Sequence, residues 1–252
     1  MSERFRERLA YGPPLIGTFI QVGHPCMAEF CAQLGLDFIL IDCEHSPISL
    51  DTTQNMLMAL KGSETLGLVR LPCGGPPYIA ASLDIGADAI VVPQIKGAED
   101  AREILAAALY PPHGRRGIGP GRSLNYGLAM APDMDLHSGT SVVLQIETQG
   151  AVEEMKDILE LPGLDMVFVG PGDLSCGLGI FGQFDHPTLT SSITGVLESA
   201  AAKGVPSGIF AMDSTMARYW IDRGVRLVTV ASELFLLARE TKRTIDAIRN
   251  QT

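Results

Sequence analysis

The sequence of 252 residues has no run of five or more basic residues, and its 29 acidic residues outnumber its 19 basic ones. The resulting formal net charge of −10 at pH 7 argues against binding to nucleic acid or to an anionic membrane surface. A small acidic substrate would need a local cationic site, because the overall field repels it.

Features of membrane-spanning, secreted and nucleotide-binding proteins are also missing. No stretch of 18 apolar residues occurs, and residues 1–8 lack the apolar core of a signal peptide. The five cysteines are odd in number and none shows C-x-x-C spacing, which disfavours a disulfide scaffold or a zinc site. No G-x-G-x-x-G or P-loop motif points to a dinucleotide or ATP. We therefore expect a cytoplasmic protein with no membrane span.

Apolar residues, in contrast, are abundant, at 46% of the chain with a mean hydropathy of +0.20. This content is high for a monomer, and it predicts that some apolar surface is buried between subunits of a homo-oligomer. The length fits one α/β barrel.

A repeated pattern predicts the fold. Four times a glycine is followed by an apolar residue, a polar residue and an apolar run, starting at Gly35, Gly86, Gly163 and Gly224. A glycine in the left-handed conformation commonly ends a helix, and a continuous apolar run suits a strand covered on both faces. The copies lie 51, 77 and 61 residues apart, which fits two βα units each, so they mark the even-numbered strands.

The odd-numbered strands are expected between these copies. The candidates are residues 15–21, 66–71, 142–148 and 206–211, with helical stretches such as 98–109 and 188–203. Eight alternating units predict a single α/β domain over residues 1–252, a (β/α)₈ TIM barrel, with an open doubly wound sheet as the alternative.

The sequence leaves the role or the packing of two segments of the predicted barrel undecided. The longest offset contains an insertion rich in Gly and Arg, residues 110–138, and a long loop of this kind is either functional or disordered. We expect it to form one half of the substrate pocket together with a neighbour's C-terminal region. The last helix, about residues 233–250, could pack on its own barrel or on a neighbour's.

Polar side chains gather where the predicted strands end, which is where α/β barrels place their active sites. The set comprises Asp42, Glu44, His45, Arg70, Gln94, Lys96, Gln145, Glu147 and Asp173. Glu147 and Asp173 follow adjacent strands, about 4.8 Å apart, and two such carboxylates can bind one hard cation. The alternative is a pair of solvated rim acids or helix caps.

Two neighbouring features favour a metal-bound 2-oxo acid. Gln145 and Glu147 point to the same side of their strand. Gly172 and Asp173 open the next helix, where free backbone N–H groups can bind a carboxylate such as that of pyruvate.

Three further residues have competing interpretations. Arg70 is either a structural ion-pair partner or a fixed cation that stabilises an enolate oxygen. His45 is a helix cap, a rim histidine with satisfied hydrogen bonds, or a general base near neutral pH. Lys96 could form a Schiff base, as in class I aldolases, or lie exposed at a helix start.

Together these residues resemble a known family. The segments FILIDCEHSP (38–47), VRLP (69–72), YPPHGRRG (110–117), QIE (145–147) and VFVGPGDLS (167–175) resemble the HpcH/HpaI aldolases, in order and at family spacing, from about residue 17 to 238. The resemblance implies a barrel of the pyruvate-binding type and the activity of a class II pyruvate aldolase.

The resemblance also implies residue roles. Glu147 and Asp173 would bind a divalent metal ion, Mg²⁺ or Mn²⁺ first, with Co²⁺ or Zn²⁺ as further options. Gln145 and the backbone of Gly172 and Asp173 would hold pyruvate. The catalytic set would be His45 as proton acceptor, Arg70 as transition-state stabiliser, Asp42 and Asp84.

Asp84 carries a prediction about assembly. The resemblance makes it the partner that raises the basicity of His45, yet Asp84 precedes the helix-ending Gly86 and should lie at the opposite rim of its own barrel. It could reach His45 only from a neighbouring subunit. Family members commonly form hexamers with exchanged C-terminal helices, so the resemblance implies a homohexamer.

The predicted reaction is reversible cleavage of a 4-hydroxy-2-oxo acid to pyruvate and an aldehyde through a metal-stabilised enolate. An acyl-CoA lyase of the citrate lyase β or malyl-CoA lyase type, a Schiff-base enzyme and a non-catalytic 2-oxo-acid-binding barrel are the alternatives. The same enolate chemistry would serve decarboxylation of oxaloacetate. The sequence departs from the family at residues 230–234, VASEL, where relatives often have Gly and Asp.

Overall fold

Eight parallel strands form a closed barrel in the computed structural model, which describes residues 2–128, 130–136 and 139–249. The strands are β1 (Leu15–Ile20), β2 (Phe38–Asp42), β3 (Leu66–Arg70), β4 (Ala89–Val92), β5 (Val142–Ile146), β6 (Met166–Val169), β7 (Ser207–Ala211) and β8 (Leu227–Ser232). Each strand pairs with its neighbours in sequence, and β1 closes the barrel by pairing with β8.

Helices surround the barrel and connect its strands. They are α1 (Ser2–Tyr11), α2 (Pro25–Gln33), α3 (Leu50–Ala59), α4 (Pro76–Asp84), α5 (Ala98–Ala108), α6 (Gln149–Glu153), α7 (Met155–Leu159), α8 (Pro171–Gly177), α9 (Pro187–Ala202), α10 (Ser214–Ile221) and α11 (Glu233–Arg249). A 3₁₀ helix spans Arg122–Gly127. Within the ranges given above, no helix is both long and apolar enough to cross a membrane.

The alternation of side chains along each strand divides the core into two layers. One layer lies between strands and helices and includes Ile39, Ile41 and Val69. The other fills the barrel interior, where Leu40, Leu68 and other inward residues pack together. Phe5 and Leu9 of α1 belong to this inner layer, so α1 closes the amino-terminal end of the barrel. Only the carboxyl-terminal end is left for a cavity.

The prediction of a (β/α)₈ barrel is confirmed, and the pairing of β1 with β8 excludes the open sheet. The four repeat glycines all have φ between +75° and +93°, as the repeat argument requires. Predicted and observed ends of the odd strands differ by at most two residues, the usual uncertainty of element boundaries.

The described part of the segment 110–138 lies at the amino-terminal rim, and residues 129, 137 and 138 are outside the described residues. Arg122 within it donates hydrogen bonds to the backbone carbonyls of Ile85 and Gly86, 3.0 and 3.2 Å away, and of Leu57, 3.2 Å away. These carbonyls follow or end α4 and α3, which run from the carboxyl-terminal to the amino-terminal rim. The segment is therefore held on the side of the barrel opposite the open end.

Candidate active site

A cavity of about 270 Å³ occupies the carboxyl-terminal end of the barrel. Its lining residues are Phe19, Gln21, Asp42, His45, Arg70, Gln145, Glu147, Phe168, Gly170, Pro171, Gly172, Asp173, Phe210, Met212, Ala231, Ser232 and Phe235. All residues to which the family resemblance assigns a role, except Asp84, are among them. The volume lies near the lower end of the roughly 300–1,000 Å³ of ligand pockets, which suits a small ligand.

Arg70 is the fixed cation of the cavity. Its Nε and Nη2 donate to the two oxygens of Asp42, at 3.0 and 2.8 Å, and its guanidinium carbon lies 4.3 Å from the centre of the Phe19 ring. Both charged side chains are almost fully buried. The two interpretations of Arg70 are thus compatible, because the ion pair to Asp42 orients a guanidinium that also faces the cavity.

Asp42 orders the loop after β2 as well. Burial alone would raise its pKa, but the hydrogen bonds and charge of Arg70, with the backbone N–H groups of His45 and Glu44, lower it. Those N–H groups lie 3.2 and 3.1 Å from Oδ1. Asp42 is therefore a positioning residue that fixes both Arg70 and the backbone of His45.

Glu44 is a participant to which the sequence reasoning assigned no role. Its Oε2 lies 3.2 Å from Arg70 Nη1 and 3.8 Å from His45 Nε2. Burial raises the pKa of Glu44, the charge of Arg70 opposes this, and the charges of Asp42 and Asp173 add to it. Its place two residues after Asp42 was the available signal, but only the tertiary structure brings it to Arg70.

His45 lies at the mouth of the cavity, with 58% of its side chain exposed. The cap of the following helix α3 is Ser49, whose hydroxyl accepts from the N–H of Thr52. The helix-cap interpretation of His45 is therefore wrong. The imidazole is accessible to a substrate in the cavity and to groups approaching from outside this chain.

Glu147 is a buried carboxylate without a cationic partner. Its Oε1 accepts from the backbone N–H of Gln94 at 2.7 Å, and its Oε2 accepts from the Gln145 amide. Burial raises the pKa of Glu147 to about 7; these two hydrogen bonds oppose the shift, and the charges of Asp173 and Glu44 add to it. Gly170 makes room for this carboxylate, because a Cβ there would lie 2.5 Å from Oε2.

The turn after β6 is held by a buried serine. Ser175 Oγ donates to the Gly172 carbonyl at 2.7 Å and accepts from the N–H of Gly182 at 3.2 Å. The N–H groups of Gly172 and Asp173 belong to the first turn of α8, where an α-helix supplies no i−4 partner. A Cβ at Gly172 would meet nothing within 4 Å, so alanine fits this position.

Whole-chain comparisons identify the family to which this chain is similar. A family profile described as HpcH/HpaI aldolase/citrate lyase matches residues 15–239. The chain belongs to this family. The hydroxypyruvate/pyruvate aldolase of Roseobacter denitrificans is 34% identical over 94% of both chains. The 5-keto-4-deoxy-D-glucarate aldolase of Klebsiella pneumoniae subsp. pneumoniae is 35% identical, over 98% of this chain and 96% of its own.

A solved structure shows the same fold. A HpcH/HpaI aldolase/citrate lyase family protein from Burkholderia cenocepacia J2315 superimposes with a TM-score of 0.93 at 30% identity, covering 98% of this chain and 99% of the other. The prediction of a carbon–carbon lyase of the class II aldolase type acting on small molecules is confirmed by this membership and by the named aldolases.

Members of the family generally need a divalent metal ion, and the oxygen atoms of the cavity fit one. Glu147 offers a buried carboxylate, Asp173 a second one at the rim, and Gln145 Oε1 is buried without a hydrogen-bond partner. In the described part of the chain, no three His, Cys, Asp or Glu side chains are grouped closely enough to hold a metal. An all-oxygen site of two carboxylates, completed by water and substrate, agrees with both observations.

The structure does not bring Asp84 to the cavity of its own chain. Asp84 ends α4 at the amino-terminal rim and pairs with the buried Arg116, whose guanidinium lies 4.6 Å from the Tyr110 ring centre. This agrees with the expectation that Asp84 meets no His45 within one barrel. About a third of its side chain is exposed, which leaves it accessible to a neighbouring subunit.

Two other expectations are not met within one chain. Lys96 is exposed and does not line the cavity, so a Schiff base with a ligand bound there has no support. No described residue of 110–138 lines the cavity either, because that segment is held at the opposite rim. The side opposite Glu147 is lined instead by aromatic residues and Met212, which the sequence reasoning missed.

Two residues shape the chain at the end of β8. Ala231 adopts φ +54°, a left-handed conformation that favours glycine. Glu233 Oε1 accepts from the backbone N–H groups of Gln21 and Val22, both at 2.6 Å, so it ties the end of β1 to the start of α11.

Proposed function

We propose that this enzyme cleaves a 4-hydroxy-2-oxo acid reversibly into pyruvate and an aldehyde. The supporting observation is the convergence of Arg70, Gln145, Glu147 and Asp173 on one small cavity beside an exposed histidine. The relatives support it further, because one is named a hydroxypyruvate/pyruvate aldolase and another acts on a keto-deoxy sugar acid by name.

The metal site of the proposal consists of Glu147 and Asp173, with Mg²⁺ or Mn²⁺ preferred and Co²⁺ or Zn²⁺ accepted. Carboxylate and amide oxygens favour hard cations, and such sites accept several ions. A divalent cation bound there supplies Lewis-acid polarisation of the 2-oxo group. The side chain of Gln145 and the N–H groups of Gly172 and Asp173 hold the carboxylate end of the 2-oxo acid.

Arg70 stabilises the negative charge that develops on the C2 oxygen. Asp42 and Glu44 form ion pairs with its guanidinium, and the Phe19 ring packs against it. The guanidinium therefore need not reorient as charge develops. Such preorganised electrostatic stabilisation commonly supplies the largest part of a rate enhancement.

His45 moves the proton in this scheme. In the cleavage direction it accepts the C4 hydroxyl proton, the C3–C4 bond breaks, and the electron pair passes to the C2 oxygen as the pyruvate enolate. The aldehyde leaves, and C3 of the enolate takes up a proton to give pyruvate. His45 is suited to this exchange because its imidazole borders the cavity and is more than half exposed.

The proposal includes a homo-oligomer, a hexamer by family resemblance, in which Asp84 of one subunit approaches His45 of another and the C-terminal helix is exchanged. Every described side chain of α11 is at least partly exposed in the single chain, including the apolar Leu234, Leu237, Ile245 and Ile248. A stripe of this kind is typical of a surface that another subunit covers. All five cysteines are free, which supports a cytoplasmic location.

The test is pyruvate release from 4-hydroxy-2-oxo acids before and after rigorous metal removal. We expect activity to disappear with EDTA and to return with Mg²⁺ or Mn²⁺. Glu147→Gln, which keeps the side-chain shape, should lose at least about 100-fold in kcat with every metal. Full activity of the metal-free protein would overturn the metal-dependent mechanism.

A further inference from the structure

The cavity has two chemically different sides. The groups assigned to pyruvate come from β3, β5, β6 and the start of α8, on one side of the rim. The other side comes from β7, β8 and β1, which are neighbours in the closed barrel, and from α11, which follows β8. A 4-hydroxy-2-oxo acid bound through C1 and C2 must therefore direct its aldehyde-derived end towards this second side.

The second side is mainly apolar, and its two polar residues, Gln21 and Ser232, carry no charge. The rings of Phe19 and Phe210 lie 5.9 Å apart and tilted by 48°, and Met212 continues this wall beyond the end of β7. Phe235 forms the outer part, with 43% of the residue exposed. Because Phe235 lies three residues after the end of β8, its position is set by its own barrel even if the rest of α11 is exchanged.

Within the described part of a single chain, this side offers no cationic partner for a negative charge. Among the described residues that line the cavity, only Arg70 and His45 can carry a positive charge. Arg70 is already engaged by Asp42 and Glu44, and the protein as a whole carries a net charge of −10. A carboxylate on the far end of the aldehyde would lose its hydration beside aromatic rings with no cation to compensate.

We propose that the acceptor aldehyde of this enzyme is uncharged and carries an apolar, branched or aromatic side chain, with Phe210, Met212 and Phe235 as the specificity-determining residues. This inference rests on the proposed function. In the synthetic direction, C3 of the pyruvate enolate forms a bond to the aldehyde carbon. The aldehyde oxygen takes the proton held by His45, which gives a 4-hydroxy-2-oxo acid with an apolar tail.

The experiment compares two aldehydes of the same shape. Succinic semialdehyde and 4-methylpentanal have the same skeleton of non-hydrogen atoms, but the first ends in a carboxylate and the second in an isopropyl group. We expect aldol addition to pyruvate to proceed with at least a tenfold higher kcat/KM for 4-methylpentanal. Deuterium exchange into the methyl group of pyruvate, measured without any aldehyde, reports enolate formation separately.

Two variants test the assigned residues. Phe235→Arg and Met212→Lys each place a cation on the apolar side, and both positions tolerate a long side chain because neither is fully buried. We expect each to raise the ratio of kcat/KM for succinic semialdehyde to kcat/KM for 4-methylpentanal about tenfold. Phe181→Arg is the matched control, since Phe181 is 75% exposed and does not line the cavity.

The outcomes separate the two proposals. Pyruvate exchange with equal or better use of succinic semialdehyde by the unmodified enzyme would overturn the acceptor assignment and leave the proposed function standing. A preference for 4-methylpentanal that neither cation-bearing variant shifts would overturn the roles of Phe235 and Met212. Failure of both exchange and addition in the metal-loaded enzyme would overturn the proposed function and the acceptor assignment with it.

Discussion

Three buried carboxylates near the cavity differ in their cationic contacts, and their pKa values follow this difference. Asp42 has both oxygens on Arg70, and its pKa is lowered although burial alone would raise it. Glu44 has one contact to Arg70 and keeps a pKa raised by burial. Glu147 receives only neutral donors, and burial raises its pKa to about 7. The uncompensated charge is therefore at Glu147, where a cation would compensate it.

This pKa predicts how metal-free stability depends on pH. The pKa of Glu147 is about 7 when folded and 4.5 for the ordinary carboxyl, so the folded state binds this proton more tightly. The free energy of unfolding should therefore fall as pH rises from about 4.5 to 7 and stay low above, by about 3 kcal/mol for a shift of this size. Glu147→Gln should remove this contribution, so the metal-free variant should be more stable than the wild type at pH 8.

Urea unfolding in EDTA at pH 5 and pH 8, at one protein concentration, measures this effect. The difference between wild type and Glu147→Gln isolates Glu147 from the other buried acids. Equal pH dependence in both proteins would contradict the assignment. Under the proposed metal site, saturating Mg²⁺ should reverse the order at pH 8, because the ion would bind the Glu147 carboxylate more tightly than the amide that replaces it.

The ion pair of Arg70 and Asp42 predicts that removing the cation alone destabilises the protein more than removing both charges. Arg70→Met leaves the buried Asp42 without its cation, which should cost about 3–5 kcal/mol of stability. Adding Asp42→Asn removes the uncompensated charge, so the double variant should be more stable than Arg70→Met alone. Thermal unfolding at fixed concentration measures both, and a double variant that is no more stable would show that Asp42 is not left charged and unpaired.

The backbone conformation of Gln94, next to Glu147, predicts that a glycine substitution stabilises the protein. Its φ of +58° is strained for a residue with a Cβ, yet this conformation aims its N–H at Glu147. Gln94→Gly should relieve the strain and stabilise the protein by about 0.5–1 kcal/mol, because the exposed side chain has little packing to lose. Gln94→Ala is the control and should not stabilise. Urea unfolding distinguishes the two, and equal effects would exclude backbone strain as the cause.

At the scale of elements, the sequence predicted what depends on local pattern. The glycine-led repeat predicted the even-numbered strands correctly, because a helix-ending glycine and a buried apolar run are both local features of the sequence. The end of the strand 142–148 was set two residues too far, because Glu147 continues the inward alternation of β5 after strand pairing has stopped.

Contacts between residues that are far apart in sequence could not be predicted in the same way. The contact of Glu44 with Arg70 requires the pairing of β2 with β3. The apolar side of the cavity joins Phe19 to Phe210, which are far apart in sequence and meet only because β1, β8 and β7 are consecutive in the closed barrel. The location of segment 110–138 follows from the direction of α5, which ends at the amino-terminal rim.

The helix α11 predicts an effect on assembly. Leu237 is 64% exposed on its apolar stripe, and Leu237→Glu should weaken the oligomer because a charge would be buried at the proposed contact. Arg239→Glu, on another face of the same helix, is the matched control. Size-exclusion chromatography with light scattering measures the mass, and an unchanged oligomer in Leu237→Glu would place the contact elsewhere.

At the scale of the whole molecule, the two rims of the barrel have different roles. The carboxyl-terminal rim holds the cavity, whereas the amino-terminal rim carries Asp84, which pairs with the buried Arg116 of the segment 110–138. Within one barrel these rims cannot cooperate directly. A functional role for Asp84 therefore requires that the amino-terminal rim of one subunit faces the cavity of another.

Mixed oligomers test this requirement. His45→Ala and Asp84→Asn should each lower kcat strongly, by about 100-fold, if both groups handle one proton. When these two variants are co-expressed, every chain lacks either His45 or Asp84. An active site built within one chain is therefore never complete. A site shared between subunits is intact when an unmodified His45 meets an unmodified Asp84, which holds for about a quarter of the sites in a random one-to-one oligomer.

We therefore expect purified mixed oligomers, selected by a different tag on each variant, to recover about a quarter of the wild-type kcat. The control mixes His45→Ala with Arg70→Met, whose residues lie in the same cavity of one chain and whose mixture should recover nothing. No recovery with Asp84→Asn would confine the role of Asp84 to its ion pair with Arg116. Recovery would assign the proton-transfer step to a pair of subunits, because no single chain in the mixture holds both groups.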